Sequence, residues 1–508
     1  MKYLKYFLLS IFSFFFFGTV FLTFFAKQEK PNIVFVFADQ LRSQELSCYG
    51  GVNIVTPNLD RLAEEGLMMT NAISTYPICS PFRGMLLTGL YPLHSGITNN
   101  DHPLNPELPS FAKACKEQGY NTAYIGKWHI DGIGRTAYIP KERRLGYDFF
   151  QALECTHNYF KSQYYDNDDT EPKYWEGYDS EAQTKAAQNY IKTRNPEKPF
   201  FLTLSWGPPH DPYIAPNEYM DRIDPKNLVL RENVKEHGIV DELQTNPRFV
   251  IPEQYIKSHQ KLRINARDEE IVRQRYAGYL AATLALDDYF GSLLETLEEE
   301  GILENTIVVF TSDHGDQLGS HQFYGKNTPF LESISIPFLV RYPNKINAET
   351  VSDALMTPVD MFPTIFGFAN LKHKKIDGMD LSRIITKDEH DKRDAILLMN
   401  LTHFNNTSLI NGLDTYRGIQ TKQYTFVRYE DKTPWLLFDN LKDPLQMNNL
   451  VAYPEFGNVI NELNVTLEKL LAEAGDSENT KQVYDRIIQE NPRRQLLRDF
   501  RNANPNKF

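Results

Sequence analysis

Short apolar runs recur along the first two thirds of the chain and predict strands that are buried on both faces of a sheet. They are rich in β-branched and aromatic residues, and polar or turn residues bound them on each side. This pattern is typical of strands covered by helices, because such strands expose neither face to water. The predicted strands are 32–38, 121–126, 200–205, 306–312 and 337–341.

Amphipathic helical patterns lie between the predicted strands. The clearest extends from about residue 271 to residue 299, and its apolar residues recur at a spacing of about 3.6. They are Tyr276, Tyr279, Leu280, Leu284, Phe290, Leu293, Leu294 and Leu297. Strands that alternate with helices predict an α/β fold in which helices cover both faces of one large sheet. Ligands bind beyond the carboxyl ends of the strands in such folds.

The pattern changes from about residue 391, where the strand candidates become short and closely spaced. They are 395–400, 416–420, 424–429 and 435–439, and a helix follows with Ile460, Leu463, Leu467 and Leu471 on one face. We therefore predict a large α/β domain over 27–390, and a small antiparallel sheet with a packed helix over 391–475. The last segment, 476–508, is charged and Asn-rich and predicts a peripheral helix and a tail.

The N-terminus has the pattern of an export segment. Lys2 and Lys5 precede an apolar, Phe-rich run from 6 to 26, which matches the basic and apolar regions of a signal peptide. We expect residues 1–26 to direct the protein out of the cytoplasm, to the periplasm or the extracellular space. The apolar run is also long enough to span a bilayer, so a retained membrane anchor is the alternative.

Composition and charge exclude some classes of function for this protein. A chain of 508 residues, of which 41% are hydrophobic, can bury a large core. The formal net charge of −12 argues against nucleic-acid binding, because phosphate contacts require clustered lysine and arginine. An anionic substrate must therefore meet local cations. Only four cysteines occur, Cys48, Cys79, Cys115 and Cys155, so no disulfide framework is expected.

Cys79 lies in a motif that indicates covalent chemistry. Residues 79 to 83 read Cys-Ser-Pro-Phe-Arg, and residues 88 to 92 read Thr-Gly-Leu-Tyr-Pro. Both segments resemble the C-x-P-x-R and T-G-x-Y-P motifs of the type I sulfatases. In that family a separate maturation enzyme oxidises the cysteine to formylglycine, whose hydrate attacks sulfur. The departure is Phe82, where the family usually has Ser or Thr. The alternative interpretation is a small buried cysteine in a tight turn.

The resemblance extends from about residue 31 to residue 451, with the motifs in the family's order. It implies the alkaline phosphatase-like fold, in which a large mixed but mostly parallel sheet lies between helices and a smaller C-terminal subdomain closes part of the substrate cleft. It also implies hydrolysis of sulfate esters. Exported sulfatases of this kind resemble enzymes that act on polysaccharides, so by analogy we expect a sulfated carbohydrate as the substrate.

Two pairs of polar residues follow predicted strands and predict a metal site. Asp39 and Gln40 come after the first strand, and Asp313 and His314 come after the fourth. Their mostly oxygen ligands suit a hard divalent cation, for which we expect calcium. By resemblance Cys79, in its modified form, completes the ligand set. Taken alone, Asp39 and Gln40 would equally suit a polar strand end that caps a helix. Many sulfatases have Asp at the position of Gln40 and Asn at that of His314, and these departures keep magnesium and manganese as alternatives.

Two further cations and a histidine complete the predicted surroundings of residue 79. By resemblance, Lys127 contacts formylglycine and the sulfate. His129 is then the base that removes a proton from the second hydroxyl of the hydrate, so that sulfate leaves and the aldehyde returns. A pKa near the working pH suits a histidine to this role. Arg83 is always cationic, and we expect it to stabilise the alkoxide of the hydrate and to hold the turn.

His210 and Lys326 are candidates for protonating the leaving alcohol. His210 follows a predicted strand and the Pro208 and Pro209 pair, which restricts its direction. The family has a histidine here, near the bridging oxygen, and Lys326 matches the family's second sulfate-binding lysine. We therefore expect Lys127, His210 and Lys326 to bind the substrate. Taken alone, the two lysines would be solvated residues of a strand end and a loop. With Arg83 and the metal they would focus positive charge on one sulfate.

Two alternatives to a sulfatase stay open from the sequence. A phosphonate monoester or phosphodiester hydrolase of the same superfamily also uses formylglycine. A non-catalytic carbohydrate-binding relative is expected to lack Cys79, Lys127 or His210, and all three are present. Substrate choice is the least determined property. The residues that could line the cleft, or equally be surface or packing residues, are His94, Asn99, Asn100, Asp101, His102, Arg417 and Trp435.

Overall fold

The computed structural model describes residues 30–235, 268–386, 389, 393–402, 415–477, 479–490 and 502. Asn32–Phe508 forms one compact unit, and the predicted export segment, residues 1–26, lies outside the described residues. Within the described ranges, no helix is both long enough and apolar enough to cross a membrane.

A ten-stranded sheet forms the centre of the fold. Its strands are β1 (Asn32–Asp39), β2 (Leu67–Met69), β3 (Asn121–Lys127), β4 (Phe149–Leu153), β5 (Gln163–Asp166), β6 (Lys173–Tyr174), β7 (Phe200–Pro209), β8 (Thr306–Ser312), β9 (Phe338–Arg341) and β10 (Thr350–Ser352). They are ordered β10-β2-β9-β8-β1-β7-β3-β4-β5-β6. The five neighbours from β8 to β4 are parallel to one another. β9 and β5 each pair antiparallel with this block, so the sheet is mixed but mostly parallel.

Helices cover both faces of this sheet. The helices of the described residues are α1 (Pro57–Glu64), α2 (Cys79–Thr88), α3 (Pro92–Ser95), α4 (Phe111–Glu117), α5 (Asp179–Thr193), α6 (Asn217–Met220), α7 (Glu232–Lys235), α8 (Glu269–Glu299), α9 (Leu331–Ile334), α10 (Pro358–Ala369), α11 (Ser382–Ile385), α12 (Gly457–Glu473) and α13 (Thr480–Glu490). Of these, α12 and α13 pack with the smaller C-terminal sheet instead. Successive residues of a strand point to opposite faces. Val34 and Val36 of β1 therefore pack in one apolar core with α8, whereas Phe35 and Phe37 pack in another with α10.

The predicted fold class is confirmed, and the predicted strands lie within β1, β3, β7, β8 and β9 to about one residue. The exception is β7, which extends to Pro209 rather than ending at residue 205. The long helical pattern is α8, which begins at Glu269. The side chain of Asp268 accepts the backbone N–H groups of Glu270 and Ile271 and so caps this helix.

A second, antiparallel sheet follows along the chain. Its strands are β11 (Ala395–Asn400), β12 (Tyr416–Thr421), β13 (Tyr424–Tyr429) and β14 (Pro434–Asp439), in that order. The predicted leucines of α12 pack in one apolar cluster with this sheet, together with Ile78 and Met85. The opposite face packs against Phe323 and Phe330. The small sheet and its helix match the prediction, while the domain limits at residues 390 and 475 stay predictions. In the predicted tail α13 is described, and residues 491–508 other than Asn502 lie outside the described part.

Four neighbouring parallel strands of the large sheet end at the same edge. β8, β1, β7 and β3 lie side by side. Asp39 ends β1, Lys127 ends β3, His210 follows β7 and Asp313 follows β8. Predicted site residues from distant parts of the sequence are therefore brought to one edge of the sheet, where α/β folds bind their ligands.

Candidate active site

Cys79 is the first residue of α2 and is buried. Ile78 before it is extended, with φ of −148° and ψ of 141°, so the helix starts directly at Cys79. Pro81 suits the first turn because its missing N–H would have no partner within the helix. The backbone N–H of Ser80 donates to Asn100 Oδ1 at 2.9 Å. The N-terminus of a helix carries a partial positive charge, which favours an anion at residue 79.

The Cys79 thiol is surrounded by ionisable side chains. Its Sγ lies 3.2 Å from Lys326 Nζ, 3.4 Å from His314 Nε2 and 3.8 Å from Lys127 Nζ. Asp39 Oδ1 lies 3.7 Å away. Burial and Asp39 raise the pKa of the thiol, but the two lysines and His314 outweigh them and hold this pKa well below its usual value. The surroundings therefore stabilise a negative charge at position 79.

Asp39, Cys79, Asp313 and His314 form a buried cluster of groups that bind metals. One ligand atom from each residue lies within 4.8 Å of the others. Burial and the neighbouring Asp39 carboxylate raise the pKa of Asp313 to about 7. Two adjacent buried carboxylates repel each other when both are ionised, and a divalent cation relieves that repulsion. The residues present therefore fit such an ion.

Gln40 borders this cluster in a left-handed backbone conformation, with φ of 72°. Its Oε1 accepts a hydrogen bond from Lys326 Nζ at 2.8 Å, and its Nε2 donates to Asp316. Its backbone N–H donates to Asp313 Oδ1 at 2.9 Å. The Gln40 side chain thus lies between Lys326 and Asp316, beside the other proposed ligands, and its role as a ligand stays a prediction.

Arg83 is fully buried and joins the carboxylates to the strand ends. Its guanidinium donates to Asp39 Oδ2 at 2.9 Å and to Asp313 Oδ2 at 3.4 Å. It also donates to the Lys127 carbonyl and to the Ser205 hydroxyl, both at 2.7 Å. Arg83 therefore links α2 to the ends of β1, β3 and β7, and the expectation that it holds the turn stays a prediction. The predicted contact with an alkoxide stays a prediction.

His129 follows β3 and has a left-handed backbone, with φ of 59°. Its Nε2 lies 3.0 Å from Asp101 Oδ1, and its carbonyl accepts a hydrogen bond from Ser80 Oγ at 2.5 Å. Burial lowers the pKa of His129, but Cys155, Asp101 and Cys79 outweigh this effect and raise it to about 9. This pKa is higher than the value near neutral pH that we expected of the base, and the role of His129 as the base stays a prediction.

His210 follows the end of β7 and stacks on His157, with ring centroids 4.4 Å apart. Its Nδ1 lies 2.8 Å from the Asp211 carbonyl, which can only accept, so Nδ1 carries the proton. Burial and Lys326 hold the pKa of His210 well below its usual value, although Asp39 opposes them. The imidazole is therefore neutral at pH 7. An anion such as sulfate at this position would favour the protonated form that an acid requires.

The residues that could line the cleft fall into two groups in the structure, those that contact the site and those that pack elsewhere. Asn100 and Asp101 contact the site through Ser80 and His129. His102 is buried. Arg417 and Trp435 are buried packing residues, with 5% and 6% of their surface exposed. Asn99 donates a hydrogen bond to Thr402, and the His94 ring contacts the Asp377 carboxylate. Arg417 forms an ion pair with Asp476, and Trp435 stacks on Tyr429.

Three further side chains that shape the site were not predicted. Ser205 accepts a hydrogen bond from Arg83, and Asp316 accepts one from Gln40. Both residues lie close to the end of a predicted strand, and this position in the sequence could have identified them. Cys155 follows β4, a strand that the sequence did not predict. Burial raises the pKa of Cys155, but nearby cations, Lys127 first among them, outweigh it and lower the pKa to about 5.

Two protein families match the chain. The family described as Sulfatase matches residues 31–371, and the family described as N-sulphoglucosamine sulphohydrolase, C-terminal, matches residues 319–473. The first match includes the large sheet and every predicted site residue. The second includes the small sheet and α12.

Individual proteins resemble the chain over most of its length. An ulvan-active sulfatase from Formosa agariphila is 40% identical over 464 residues, which cover 90% of this chain and 84% of that protein. An endo-4-O-sulfatase from Bacteroides thetaiotaomicron is 30% identical over 511 residues, covering 90% of this chain and 95% of that protein. A solved structure in complex with its substrate, D-glucosamine-2-N,6-O-disulfate, has a TM-score of 0.78 at 25% identity. It covers 89% of this chain and 100% of that chain.

Proposed function

Because this chain belongs to the sulfatase family and is a sulfuric ester hydrolase, we propose that its nucleophile is formylglycine formed from Cys79. A separate maturation enzyme would oxidise the thiol, and the hydrate of the resulting aldehyde would supply the oxygen that attacks sulfur. The observation that carries this proposal is the convergence of Lys326, His314 and Lys127 on Cys79 Sγ, at 3.2, 3.4 and 3.8 Å. These groups stabilise negative charge where the attacking oxygen would carry it.

The second part of the proposal is a divalent cation at the buried cluster. Asp39, Cys79, Asp313 and His314 would hold it, with Gln40 as a further ligand. Calcium is our proposal, and magnesium and manganese are the alternatives. When bound, such an ion polarises the sulfate and orients the reacting oxygen of residue 79. The support for the site is the close approach of these four ligand groups, whose ligand atoms all lie within 4.8 Å of one another in a buried cluster.

The chain's own side chains would hold the sulfate and move protons. Lys127 Nζ donates to Asp39 Oδ2 at 2.7 Å, and Lys326 Nζ donates to Gln40 at 2.8 Å, so both ammonium groups have fixed positions. They would meet the negative charge that develops on the sulfate oxygens. His129 would accept the proton at residue 79, and His210 or Lys326 would donate a proton to the leaving alcohol.

The substrate that we propose is a sulfated carbohydrate, either a polysaccharide or a fragment of one. One relative is named as active on ulvan, another as an endo-4-O-sulfatase, and a solved neighbour binds a sulfated glucosamine. Residues 1–26 have the pattern of an export signal, so the enzyme would meet this substrate in the periplasm or outside the cell. A retained membrane anchor is the alternative to cleavage.

One purified, matured sample tests the sulfate specificity and the cation of this proposal. We expect kcat/KM for a sulfate monoester to exceed that for a phosphate diester by about tenfold or more, because the site would be complementary to the sulfate transition state. We also expect a chelator to remove the activity and calcium to restore it, with magnesium and manganese compared in parallel. A panel of defined sulfated oligosaccharides, assayed on the same sample, then identifies the sugar and the sulfate position.

Two results would contradict the proposal. A large preference for the phosphate diester would favour the phosphonate monoester or phosphodiester alternative. Undiminished activity in the presence of the chelator would exclude an exchangeable cation that takes part in turnover. The two results are independent, so each part of the proposal can fail separately.

A further inference from the structure

A short loop contacts both helix α2 and the predicted base. Asn100 Oδ1 accepts the backbone N–H of Ser80, the second residue of α2, at 2.9 Å. The next residue, Asp101, places its Oδ1 3.0 Å from His129 Nε2. Asp101 and His129 both have left-handed backbones, with φ of 57° and 59°. Residues other than glycine keep this conformation only where surrounding contacts hold it, and such positions cluster at functional sites.

The contact with Asp101 decides which ring nitrogen of His129 is available to residue 79. A carboxylate only accepts hydrogen bonds, so Nε2 carries the proton that Asp101 accepts. The other nitrogen, Nδ1, is buried and has no hydrogen-bond partner in the described part of the chain. Residue 79 lies near this imidazole, because its neighbour Ser80 donates through Oγ to the His129 carbonyl and the Cys79 side chain helps to raise the pKa of the ring. In the neutral ring, Nδ1 therefore has its lone pair free beside residue 79.

Arg135 fixes the Asp101 carboxylate in turn. Its Nε donates to Oδ1 and its Nη2 to Oδ2, each at 3.3 Å, which is the forked geometry that orients a carboxylate plane. The carbonyl of His129 accepts from Ser80 Oγ at 2.5 Å, so the base is also anchored to α2. Arg135, Asp101 and His129 thus form one connected series that leads to residue 79.

We propose that Asp101 is a positioning residue that sets the tautomer and the orientation of His129. It also stabilises the cation that forms when Nδ1 accepts a proton from the hydroxyl of residue 79, because the Nε2–H stays hydrogen-bonded to the carboxylate. Other pairs of a carboxylate and a histidine act in the same way, because the carboxylate orients the histidine base and does not itself take the proton. The inference rests on the proposed function, in which residue 79 is the nucleophile.

Three substitutions at Asp101 should rank in kcat in an order that a merely structural role would not produce. Asp101→Asn keeps the shape of the side chain, but its amide can donate to Nε2 and so favours the tautomer with the proton on Nδ1. We expect kcat for a sulfate monoester to fall about 10²-fold or more in this variant, and at least as far as in Asp101→Ala. Asp101→Glu keeps the carboxylate and should lose about tenfold or less, with KM changing less than kcat in all three. The proposal would be overturned if kcat of Asp101→Asn were close to that of the wild type and higher than that of Asp101→Ala.

Nitrogen-15 spectra of histidine-labelled protein give a readout that does not depend on turnover or on the modification of residue 79. They are recorded at alkaline pH, where the ring is neutral, and His129→Gln identifies the His129 signals. We expect the proton on Nε2 in the wild type and on Nδ1 in Asp101→Asn. A wild-type spectrum with the proton on Nδ1 would overturn the inference.

Asp148→Asn is the matched control. Asp148 pairs with Lys116 at 2.5 Å on the exposed surface, just before β4 and therefore at the opposite edge of the sheet. This variant should keep the wild-type kcat, and a loss as large as that of Asp101→Asn would overturn the specific role of Asp101. Rates are divided by the aldehyde content of each sample, so that incomplete maturation is not read as a loss of catalysis. If the wild type lacks sulfatase activity, the proposed function fails, while the spectra still decide the role of Asp101.

Discussion

Replacing Cys79 by alanine should lower kcat for a sulfate monoester about 10⁵-fold or more, to the background of the assay. Alanine cannot be converted to an aldehyde, and Cys79 Sγ is the atom on which Lys326, His314 and Lys127 converge. Only one heavy atom is lost, so the free energy of unfolding should fall by about 1 kcal/mol. Steady-state kinetics and denaturant unfolding of the same preparation measure both effects.

Cys115→Ala is the matched control for this result. Cys115 is a fully buried cysteine of α4 that packs in the apolar core beneath the sheet, and burial raises the pKa of its thiol. The same chemical change there should lower the free energy of unfolding by a similar amount and leave kcat unchanged. Near-normal turnover by the Cys79 variant would contradict a covalent mechanism at this position.

Replacing Arg83 by methionine should lower the free energy of unfolding by about 3–5 kcal/mol and remove the activity. The substitution keeps much of the side-chain volume but leaves the carboxylates of Asp39 and Asp313 buried without this cation. It also removes the hydrogen bonds to the Lys127 carbonyl and the Ser205 hydroxyl that join the strand ends. Denaturant unfolding measures the stability, and kinetics at low temperature, where the variant remains folded, measure the activity.

Arg61→Met provides the comparison for Arg83. Arg61 pairs with Glu65 and Glu298 at 2.7 and 2.5 Å, but 37% of its side chain is exposed. Pairs of this kind contribute about 0–1 kcal/mol, so this variant should unfold close to the wild type. If both variants lost the same free energy of unfolding, the buried Arg83 would not contribute the stability that we assign to it.

The central parallel strands could be predicted because burial on both faces leaves a continuous apolar run. β1, β3 and β8 were found in this way, as was the antiparallel β9. The Pro-rich end of β7 and the whole of the parallel strand β4 were missed. β5 and β10 were not predicted, because Gln163–Asp166 and Thr350–Ser352 are short, polar and partly exposed. Such strands form through pairing at the edge of a sheet, and their own sequences carry little signal.

The candidate site could be predicted as far as its residues follow strands or lie in a motif. Asp39, Lys127 and Asp313 meet because their strands belong to one block of four adjacent parallel strands, β8-β1-β7-β3. The sequence could not indicate that Asp101 contacts His129, since that contact depends on two loops with left-handed residues. Contacts that depend on loop conformation leave no periodic pattern in the sequence.

Long amphipathic side chains limited the prediction of the cleft. Arg417 and Trp435 suit a carbohydrate site as well as a packed interface, and their sequence neighbours did not distinguish the two. In the structure Arg417 pairs with Asp476, and Trp435 stacks on Tyr429 with ring centroids 5.1 Å apart. Both side chains therefore belong to the packing of the small sheet, which only the three-dimensional arrangement reveals.

Mass analysis of the peptide that contains residue 79, taken from fully active enzyme, is the most direct test of the proposed nucleophile. We predict an aldehyde at this position, which reacts with a hydrazine reagent, in a fraction of molecules that rises in proportion to the specific activity. Active enzyme in which residue 79 is wholly an unmodified thiol would contradict the formylglycine mechanism.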